Sequence, residues 1–362
     1  MGPRRVGVEE ELLLVDPDSG VPLAVSSAVL QQAPTEQPGE LTGELTQEQI
    51  ETATRPCTSL DELGSELRRW RRAAAAAAET TGAQVAALAT PPLPVRPSIT
   101  PESRYRRMAE EFGRTAAEQL TCGCHVHVEV DSDEEGVAAL DRIRGWLPPL
   151  LALSTNSPFW QGEDSGYASF RSQVWNRWPS AGPTELFGSA ATYHATVKAM
   201  VSSATLLDEG MVYFDARLSD QHPTLEVRVA DVCLHPDDAV LLAALIRALV
   251  DTAARAWRAS EPPAPLRVEL LRLATWRAGR SGLDGDLLDP AGRPAPAEQV
   301  VRRLIEQVTP ALQGLGELDT VEDLLTALLR RGNGATAQRR VYRSRQGLAD
   351  VVTHAVARTV SA

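Results

Sequence analysis

The sequence predicts an α+β fold, and the distribution of two kinds of segment along the chain leads to that prediction. Short strand-like runs, several of them acidic, occupy the first two-thirds of the 362 residues, and the remainder is mostly helical in pattern. Strands grouped early and helices grouped late are typical of α+β proteins and not of regular βαβ alternation. At about 150 residues per domain the length alone would suggest two domains, and no internal repeat divides the chain.

The individual elements follow from hydrophobic periodicity and from the residues that end each run. The apolar run at 6–15 predicts an opening strand, because the turn-forming sequence Asp-Pro-Asp-Ser-Gly follows it at 16–20. A helix is expected from Leu60 to about Thr81, with acidic residues in its first turn and Gly82 as its stop. Beyond it, the pattern predicts strands at 126–130 and 225–229. It also predicts a helix from Val137 to about Leu153, which reaches a break at Pro148-Pro149, and a helix from Asp237 to Ala259. A linker at 261–265 and a mainly helical part at 266–362 follow.

The composition limits the class of function. The chain is 43% hydrophobic and carries a net charge of -12, which provides enough apolar material for a packed core and argues against sequence-independent nucleic-acid binding. Lys198 is the single lysine, and no glycine-rich loop precedes it, so a Walker-type phosphate loop is excluded. Any phosphate chemistry would therefore depend on arginine and metal.

The sequence predicts neither a membrane segment nor a secreted protein. No stretch reaches the ~18–20 apolar residues that span a bilayer, and the N-terminal Met-Gly-Pro-Arg-Arg is not followed by a signal-peptide core. Four cysteines are too few for a disulfide framework in a chain of this length. We therefore expect a cytoplasmic protein with reduced thiols and with no membrane or nucleic-acid partner.

Two acidic segments are candidates for metal binding. Side chains alternate along a strand, so Glu9 and Glu11 should share one face and Glu10 should lie on the other. Two such carboxylates beside a buried apolar run are unfavourable unless a cation or arginine lies between them; the alternative is a solvated acidic edge strand. Glu44 and Glu51 are seven residues apart and would share a face if that segment were helical, where glutamates usually form a solvated surface.

Two later segments add histidines and an arginine. On a strand His125, His127 and Glu129 would share one face, and two histidines at this spacing can bind one metal. The alternative is that they are satisfied core residues. Glu226 and Arg228 would also share a face, as a metal-binding carboxylate beside an anion-binding guanidinium or as an ordinary cross-strand ion pair.

An aromatic stretch lies between the histidines and Glu226. Trp160, Trp175 and Trp178 fall within nineteen residues, together with Arg171 and Arg177. Amphipathic rings with arginines are typical of a cleft that binds a planar base and anionic groups. The alternative is a loop packed by its own aromatic residues.

Five ordered motifs connect these segments. They are Gly-Val-Glu-Glu-Glu from Gly7, Cys-Gly-Cys-His-Val-His-Val from Cys122, Asn-Ser-Pro-Phe-Trp-Gln-Gly from Asn156, Tyr-Ala-Ser-Phe-Arg-Ser-Gln-Val-Trp from Tyr167 and Pro-Thr-Leu-Glu-Val-Arg-Val-Ala-Asp from Pro223. From Val6 to about Val352 the chain resembles the type 2 glutamate–cysteine ligase family of ATP-dependent carboxylate–amine ligases. The resemblance implies a glutamine-synthetase-like fold, a curved antiparallel sheet with helices on its outer face, in one catalytic domain over 1–362.

The resemblance also implies roles for individual residues. The implied metal ligands are Glu9, Glu11, Glu44, Glu51, His125 and Glu226, with Glu48 competing with Glu44. Arg171 and Arg228 would be the catalytic arginines that contact phosphate, and Trp175 and Arg339 would join them in binding the nucleotide. Arg339 lies in a segment that has Ala337 where the family usually has another arginine.

The implied reaction is amide formation driven by ATP and Mg²⁺ through an acyl phosphate. Its expected substrates are a small carboxylate, such as the γ-carboxyl of glutamate, and an amine such as cysteine. Phosphoryl transfer needs charge neutralisation and alignment more than a protein nucleophile, and Mg²⁺ prefers oxygen ligands. The alternatives are a kinase that phosphorylates a small substrate without ligation and a non-catalytic, ligand-binding descendant of the fold. Partners would be small molecules and other copies of the chain.

Overall fold

The computed structural model describes residues 2–32 and 40–361. Its strands are β1 Val6–Val15, β2 Glu40–Gly43, β3 Gln49–Ala53, β4 Gln84–Ala86, β5 Gly123–Glu129, β6 Phe159–Trp160, β7 Glu163–Asp164, β8 Ala216–Leu218, β9 Thr224–Asp231, β10 Asp286–Leu288 and β11 Pro294–Pro296. Its helices are α1 Ser26–Leu30, α2 Leu60–Glu79, α3 Ser103–Phe112, α4 Arg114–Ala117, α5 Asp133–Ile143, α6 Leu147–Ser154, α7 Arg171–Trp175, α8 Ala190–Ser202, α9 Pro236–Arg258, α10 Val268–Ser281, α11 Ala297–Leu315, α12 Leu318–Arg331, α13 Gly334–Arg345 and α14 Leu348–Thr359.

One antiparallel sheet organises the molecule. Its strands follow the order β2-β3-β1-β5-β9-β8, and β4 pairs with the C-terminal end of β1. The first strand in sequence is therefore central in space, with β3 on one side and β5 on the other. Helices α2 and α9 pack against this sheet, and α5 and α11 pack on α9 in a further layer. The predicted α+β fold is confirmed.

The outer face of β1 is apolar. Val6, Val8, Leu12 and Leu14 alternate along the strand and are almost completely buried. Side chains two residues apart point to the same face of a strand, so this face supplies the core beneath the helices. The other face of β1 is left for polar side chains.

One ion pair interrupts this apolar face. Glu10 accepts two hydrogen bonds from Arg71 of α2, Nε to Oε2 at 2.8 Å and Nη2 to Oε1 at 2.6 Å, and both side chains are fully buried. Arg71 also donates to the backbone carbonyls of Cys233 and Leu234, which follow β9. Every charge is thus partnered, and the pair fixes α2 to β1 and to the end of β9.

The structure confirms several predicted elements and corrects one. The opening strand runs from Val6 to Val15 as predicted, and α2 and α9 end within two residues of the predicted helices. The helix predicted from Val137 to about Leu153 is instead two helices, α5 and α6, separated by a 3₁₀ turn at Arg144–Trp146. Pro148 and Pro149 lie in the first turn of α6, where the missing N–H needs no partner, so they begin a helix and do not end one.

Within the described part of the chain, no helix is long and apolar enough to cross a membrane.

Replacing Arg71 with methionine should lower the free energy of unfolding by about 3–5 kcal/mol, because the carboxylate of Glu10 would stay buried without its partner. The double variant Glu10→Met/Arg71→Met should recover much of that loss, since apolar side chains would replace the whole pair. Urea denaturation followed by circular dichroism measures both effects. Arg302→Met, which removes an exposed pair with Glu298 on α11, is the control. A double variant no more stable than the single one would contradict the prediction.

Candidate functional site

Strand register brings carboxylates and histidines together on the polar face of the sheet. Residues directly opposite each other on neighbouring strands point to the same face, and here four such pairs are adjacent. The register opposes Glu51 of β3 with Glu11 of β1, Glu9 of β1 with His125 of β5, His127 of β5 with Glu226 of β9, and Glu226 with Arg217 of β8. The charged row therefore crosses five adjacent strands.

A β-bulge on β9 changes the pairing of β5 with β9 at the centre of the charged row. The pairing of β5 with β9 shifts between Cys124 and Val126, so that Arg228 and Val229 oppose the single residue His125. Such bulges bend a strand and redirect its side chains. Both Glu226 and Arg228 line the cleft above the sheet.

That cleft has a volume of about 280 Å³. Its floor is the charged row, and its walls come from α3, from the end of α7 and from the loops that precede and follow β8. The wall residues include Arg104, Tyr105, Met108, Gln119, Thr121, Trp175, Trp178, Tyr213 and the loop at 219–222. An acidic floor beneath aromatic walls could accommodate cations and a ligand with a flat ring.

Three overlapping groups of side chains in this floor could each hold a metal ion. In each group the ligand atoms lie within 4.8 Å of one another. The groups are Glu9, Glu51 and His125; Glu9, His127 and Glu226; and Glu11, Glu44 and Glu51. Oxygen-rich donor sets with one histidine suit Mg²⁺ or Mn²⁺ better than a closed zinc site.

The histidines support a metal-binding role. Nε2 of His125 is buried and has no hydrogen-bond partner among the described residues, and a buried polar atom without a partner is unfavourable. Its other nitrogen, Nδ1, lies 3.3 Å from Oε2 of Glu9. Nδ1 of His127 lies 2.9 Å from Oγ1 of Thr224, which leaves Nε2 directed toward Oε1 of Glu9 at 3.2 Å.

Charge on Glu9 and the histidines is mutually dependent. Burial alone would raise the pKa of Glu9, but contacts with His125 and His127 outweigh burial and lower it. Burial and the nearby Arg228 lower the pKa of His125. For His127 burial also acts to lower the pKa, but its hydrogen bond and attraction to Glu9 raise it overall. A neutral His125 beside an ionised Glu9 is the protonation state that binds a metal.

The pKa values of Glu44 and Glu51 are shifted in the opposite direction to that of Glu9. Burial, followed by repulsion from Glu11, raises the pKa of Glu44 to about 7. Burial and repulsion from Glu44 raise the pKa of Glu51 well above its ordinary value. Without a cation this corner of the cleft retains protons near neutral pH, so a divalent metal would have to displace them.

Glu226 is held by two arginines. Nε of Arg217 lies 2.7 Å from its Oε2, and Arg228 donates to its Oε1. Burial acts to raise the pKa of Glu226, but attraction to Arg228 and Arg217 outweighs burial and lowers it. The guanidinium of Arg228 also lies over the ring of Trp175, 5.8 Å from its centroid. A positive charge thus lies at the edge of the acidic floor of the cleft.

Arg171 lies beside the cleft, next to the ring of Trp175. It is 2% exposed, does not line the cleft, and places Nη1 3.9 Å from Oδ1 of Asp231 and within 3.4 Å of the Val229 carbonyl oxygen. A Cβ on Gly123 would lie 2.3 Å from its Nη2 and 3.0 Å from Nε2 of His125, so a side chain at position 123 would displace the guanidinium. The guanidinium thus lies on the face of β5 that carries His125, and the contact of Arg171 with an anion stays a prediction.

Arg339 also lies outside the cleft. Its Nη2 is 2.6 Å from Oδ1 of Asp164 and it donates to the carbonyl oxygen of Tyr167. The sequence alone does not reveal this position of Arg339, because it depends on the packing of α13 beside the 158–170 segment and not over the sheet. Its role in nucleotide binding stays a prediction.

The hairpin that carries Glu44 and Glu51 corrects one expectation. Glu51 is on β3 and Glu44 follows β2, so the two carboxylates meet through strand pairing and not on a helix face. Glu48 is excluded from the floor: its carboxylate accepts the backbone N–H of Ser98 at 2.9 and 3.0 Å.

Other singled-out residues have structural partners. Glu129 pairs with Arg5, with Oε1 2.6 Å from Nη2, and takes part in none of the three metal-binding groups. Trp178 is 2% exposed and packs against Phe112 and Tyr213 at 5.1 and 5.5 Å between ring centroids. Trp178 is thus packed by aromatic residues of other segments and not by its own loop, and it borders the cleft.

Sequence reasoning left out several residues of the cleft. The sequence indicated His127, because it shares a strand face with His125. The family resemblance implied only His125 as a metal ligand. Arg217 faces Glu226 through strand register, which a single sequence does not reveal. Arg104 and Tyr105 come from α3, whose position over the sheet only the tertiary structure shows.

Comparison with known proteins is consistent with this site. The family model for glutamate-cysteine ligase family 2 (GCS2) matches residues 5–355. A protein of Streptomyces avermitilis named "Putative glutamate--cysteine ligase 2-1" is 56% identical over 359 residues, covering 98% of this chain and 99% of that protein.

Two solved structures share the fold at low sequence identity. Glutamate–cysteine ligase of Francisella tularensis, in complex with AMP, matches with a TM-score of 0.72 and 13% identity over 100% of this chain and 90% of its own. A bifunctional glutathione synthetase of Pasteurella multocida matches with a TM-score of 0.68 and 16% identity over 98% of this chain and 52% of its own.

Glu44→Gln should stabilise the metal-free protein at pH 8 but not at pH 5. The pKa of Glu44 in the folded protein, about 7, exceeds its ordinary value of about 4.5. As pH rises through that window the unfolded chain loses this proton first, so the contribution of Glu44 to folding stability declines. Thermal unfolding in EDTA measures the difference between variant and wild type, with exposed Glu306→Gln as control. An equal difference at both pH values would contradict the raised pKa.

Proposed function

We propose that the protein, which belongs to glutamate-cysteine ligase family 2 and is a ligase, uses ATP and a divalent metal to join the γ-carboxyl of glutamate to the amine of cysteine or of a similar small molecule. The observation that carries the proposal is the row of carboxylates and histidines across adjacent strands, next to Arg217 and Arg228. A non-catalytic binding protein would have no need for so many ionisable groups desolvated together.

The divalent metal is proposed to be Mg²⁺. Two or three ions would be held by the three groups, which are Glu9, Glu51 and His125; Glu9, His127 and Glu226; and Glu11, Glu44 and Glu51. When bound, such ions neutralise the phosphate oxygens of the nucleotide and align its reacting phosphorus. The raised pKa of Glu44 and Glu51 and the unpartnered Nε2 of His125 both favour this interpretation, since binding a cation would relieve each of them.

The nucleotide is proposed to enter the same cleft. The Francisella tularensis enzyme, which shares the fold, was solved in complex with AMP, which supports use of an adenine nucleotide. Trp175, Tyr105 and Tyr213 provide aromatic surface in the cleft wall, and the guanidinium of Arg228 is close to both Trp175 and the floor. We therefore assign Arg228 to the transferring phosphate, where a fixed positive charge stabilises the charge that develops in transfer.

The proposed reaction has two steps. An oxygen of the substrate carboxylate attacks the γ-phosphorus of ATP, and the bond from that phosphorus to the bridging β-phosphate oxygen breaks. ADP is released, and the substrate becomes an acyl phosphate. The amine nitrogen then attacks the acyl carbon, the carbon–oxygen bond to phosphate breaks, and inorganic phosphate and a proton are released with the amide. Both steps depend on holding anionic groups in line, so the protein supplies charge and orientation and no covalent nucleophile.

Arg171 would act in this scheme by position. It lies between Asp231 and the ring of Trp175, 5.6 Å from the ring centroid, beneath Gly123. From there it supports the wall that carries Trp175 and contributes positive potential to the cleft.

The whole chain is proposed to act as one catalytic unit. The family match covers most of the chain, and the C-terminal helix α14 is joined to β4, where the hydroxyl of Thr359 accepts the backbone N–H of Ala87 at 2.8 Å. The cytoplasmic location expected from the sequence stays a prediction.

Incubation with ATP, Mg²⁺, glutamate and cysteine should give ADP, phosphate and a γ-glutamyl amide in equal amounts. Mass spectrometry of the product alongside ADP and phosphate assays measures all three, and a panel of other carboxylates and amines identifies the preferred pair. ADP formed with a phosphorylated substrate and no amide would establish the kinase alternative instead. Absence of nucleotide turnover with every pair would refute both.

Glu226→Gln and His125→Ala should each lower kcat/KM by at least about 100-fold, because each removes a charge or ligand that acts at the transferring phosphate. Activity should also require a divalent cation and disappear in EDTA. Glu129→Gln is the matched control, since Glu129 is on the same strand face as His125 but pairs with Arg5. Wild-type activity in a correctly folded Glu226→Gln or His125→Ala variant would remove these residues from the metal site.

A further inference from the structure

Three of the five ordered motifs meet at one buried carboxylate. Asp231, which ends the motif that starts at Pro223, is completely buried. Its Oδ2 accepts the backbone N–H of Asn156 at 2.8 Å and the hydroxyl of Ser157 at 2.7 Å, and its Oδ1 accepts the hydroxyl of Ser169 at 2.8 Å. These four residues neither line the cleft nor belong to a metal-binding group. The motifs thus converge on a network outside the proposed reacting groups.

Both hydroxyls of this network have a defined direction. Oγ of Ser157 also accepts the backbone N–H of Arg171 at 3.0 Å, and Oγ of Ser169 accepts the backbone N–H of Ser172 at 3.2 Å. Each hydroxyl therefore accepts on one side and donates its single proton to Asp231 on the other. Burial raises the pKa of Asp231, and Arg171 and the three hydrogen bonds act against burial. Three donors around two oxygens suit the ionised carboxylate.

Arg171 lies next to this carboxylate without a hydrogen bond to it. Its Nη1 is 3.9 Å from Oδ1 of Asp231, which is too long for a hydrogen bond, although both side chains are buried. Arg71 is also completely buried, and it donates to both carboxylate oxygens of Glu10 at 2.8 and 2.6 Å. A guanidinium and a carboxylate that approach freely form such a direct pair, at about 2.7–2.9 Å. The separation at Arg171 therefore needs a physical cause.

The three donors to Asp231 provide that cause. Asn156 and Ser157 bind one oxygen of the carboxylate, and Ser169 binds the other. If the carboxylate turned toward Arg171, these bonds would break and the hydroxyls would lose their acceptor. Both serines are completely buried, so water would not replace the lost bonds, and an unsatisfied buried polar group is unfavourable. The hydroxyls therefore hold the carboxylate in place.

The guanidinium of Arg171 consequently has unused donors. Its Nη1 and Nη2 reach the carbonyl oxygens of Val229 and Arg228 only at 3.4 Å, and its Nε is buried with no hydrogen-bond partner in the described part of the chain. A guanidinium has five N–H donors. Its Nη2 and Nε2 of His125 both lie within 3.0 Å of the point that a Cβ on Gly123 would occupy. The unused donors are therefore beside the His125 end of the acidic floor.

We propose that Ser157 and Ser169 are positioning residues of the ligase site. Their hydroxyls hold the carboxylate of Asp231 away from Arg171, so that the guanidinium stays available to an anionic group of a reactant at the His125 end of the floor. This proposal rests on the proposed function, because that group is the phosphate or the carboxylate of the ligase reaction. The two serines touch no reactant themselves and act through Asp231 and Arg171.

A crystal structure of the Ser157→Ala/Ser169→Ala protein tests the arrangement. Loss of both hydroxyls leaves only the backbone N–H of Asn156 on the carboxylate, so Asp231 should turn toward Arg171 and the 3.9 Å separation should shorten to about 2.8 Å. The wild type, crystallised under the same conditions, should keep the longer separation. An unchanged separation in the variant, or a direct pair in the wild type, would overturn the proposal. Neither outcome depends on turnover.

A rescue experiment tests the role of the serines in the reaction. The Ser157→Ala/Ser169→Ala variant should lower kcat/KM by about 10–100-fold, the loss expected for one hydrogen bond to a charged group. Adding Asp231→Asn to this variant should restore most of the lost activity, because a neutral amide does not compete for the guanidinium of Arg171. If the hydroxyls only stabilised the fold, a third replacement in the same buried network would lower activity further.

Ser172→Ala is the matched control for the rescue. It removes a buried hydroxyl from the same helix that donates to the carbonyl oxygen of Ser169 and not to Asp231, so its kcat/KM should equal that of the wild type. Circular dichroism verifies that every variant is folded. A folded triple variant as slow as the double one, or a double variant as fast as the wild type, would refute the positioning role and leave the ligase assignment intact. A wild type without turnover would refute the ligase assignment and, with it, the positioning role.

Discussion

The central position of β1 between β3 and β5 is the constraint on which the rest of the structure depends. Its register opposes Glu11 with Glu51 and Glu9 with His125, so carboxylates are forced together where water is scarce. Repulsion and desolvation are the physical cost, and they appear as the raised pKa of Glu44 and Glu51. Such an arrangement persists because a sheet with a buried outer face cannot shift its register by one residue without exposing its core.

Buried carboxylates on the two faces of β1 are neutralised in different ways. On the outer face Glu10 is matched by Arg71, with every hydrogen bond made inside the protein. On the inner face Glu226 is matched by two arginines, whereas Glu11, Glu44 and Glu51 converge without a cationic side chain in their group. The pair of Glu10 with Arg71 stabilises the fold. A bound divalent cation would neutralise the group of Glu11, Glu44 and Glu51. A structural ion pair and the candidate metal site thus lie one residue apart on the same strand.

Much of this site was predictable from the sequence, and the exceptions share a cause. Alternation along single strands was enough to place Glu9 with Glu11 and His125 with His127. The contribution of Arg217 depends on strand pairing. The positions of Arg171 and Arg339, neither of which lines the cleft, depend on how the 158–175 segment and the C-terminal helices pack. Periodicity describes one element at a time, whereas contacts between elements depend on register and packing.

The sequence by itself determined the α+β class, the opening strand, the helices around residues 60–79 and 236–258, and the family to which the chain belongs. It did so because hydrophobic period and ordered motifs are local properties. Only the tertiary structure decided that Glu44 and Glu51 meet through a hairpin, that Arg71 neutralises Glu10, and that three of the ordered motifs meet in one buried network. Each of these depends on which elements become neighbours, and that is set by burying the largest apolar area of the whole chain at once.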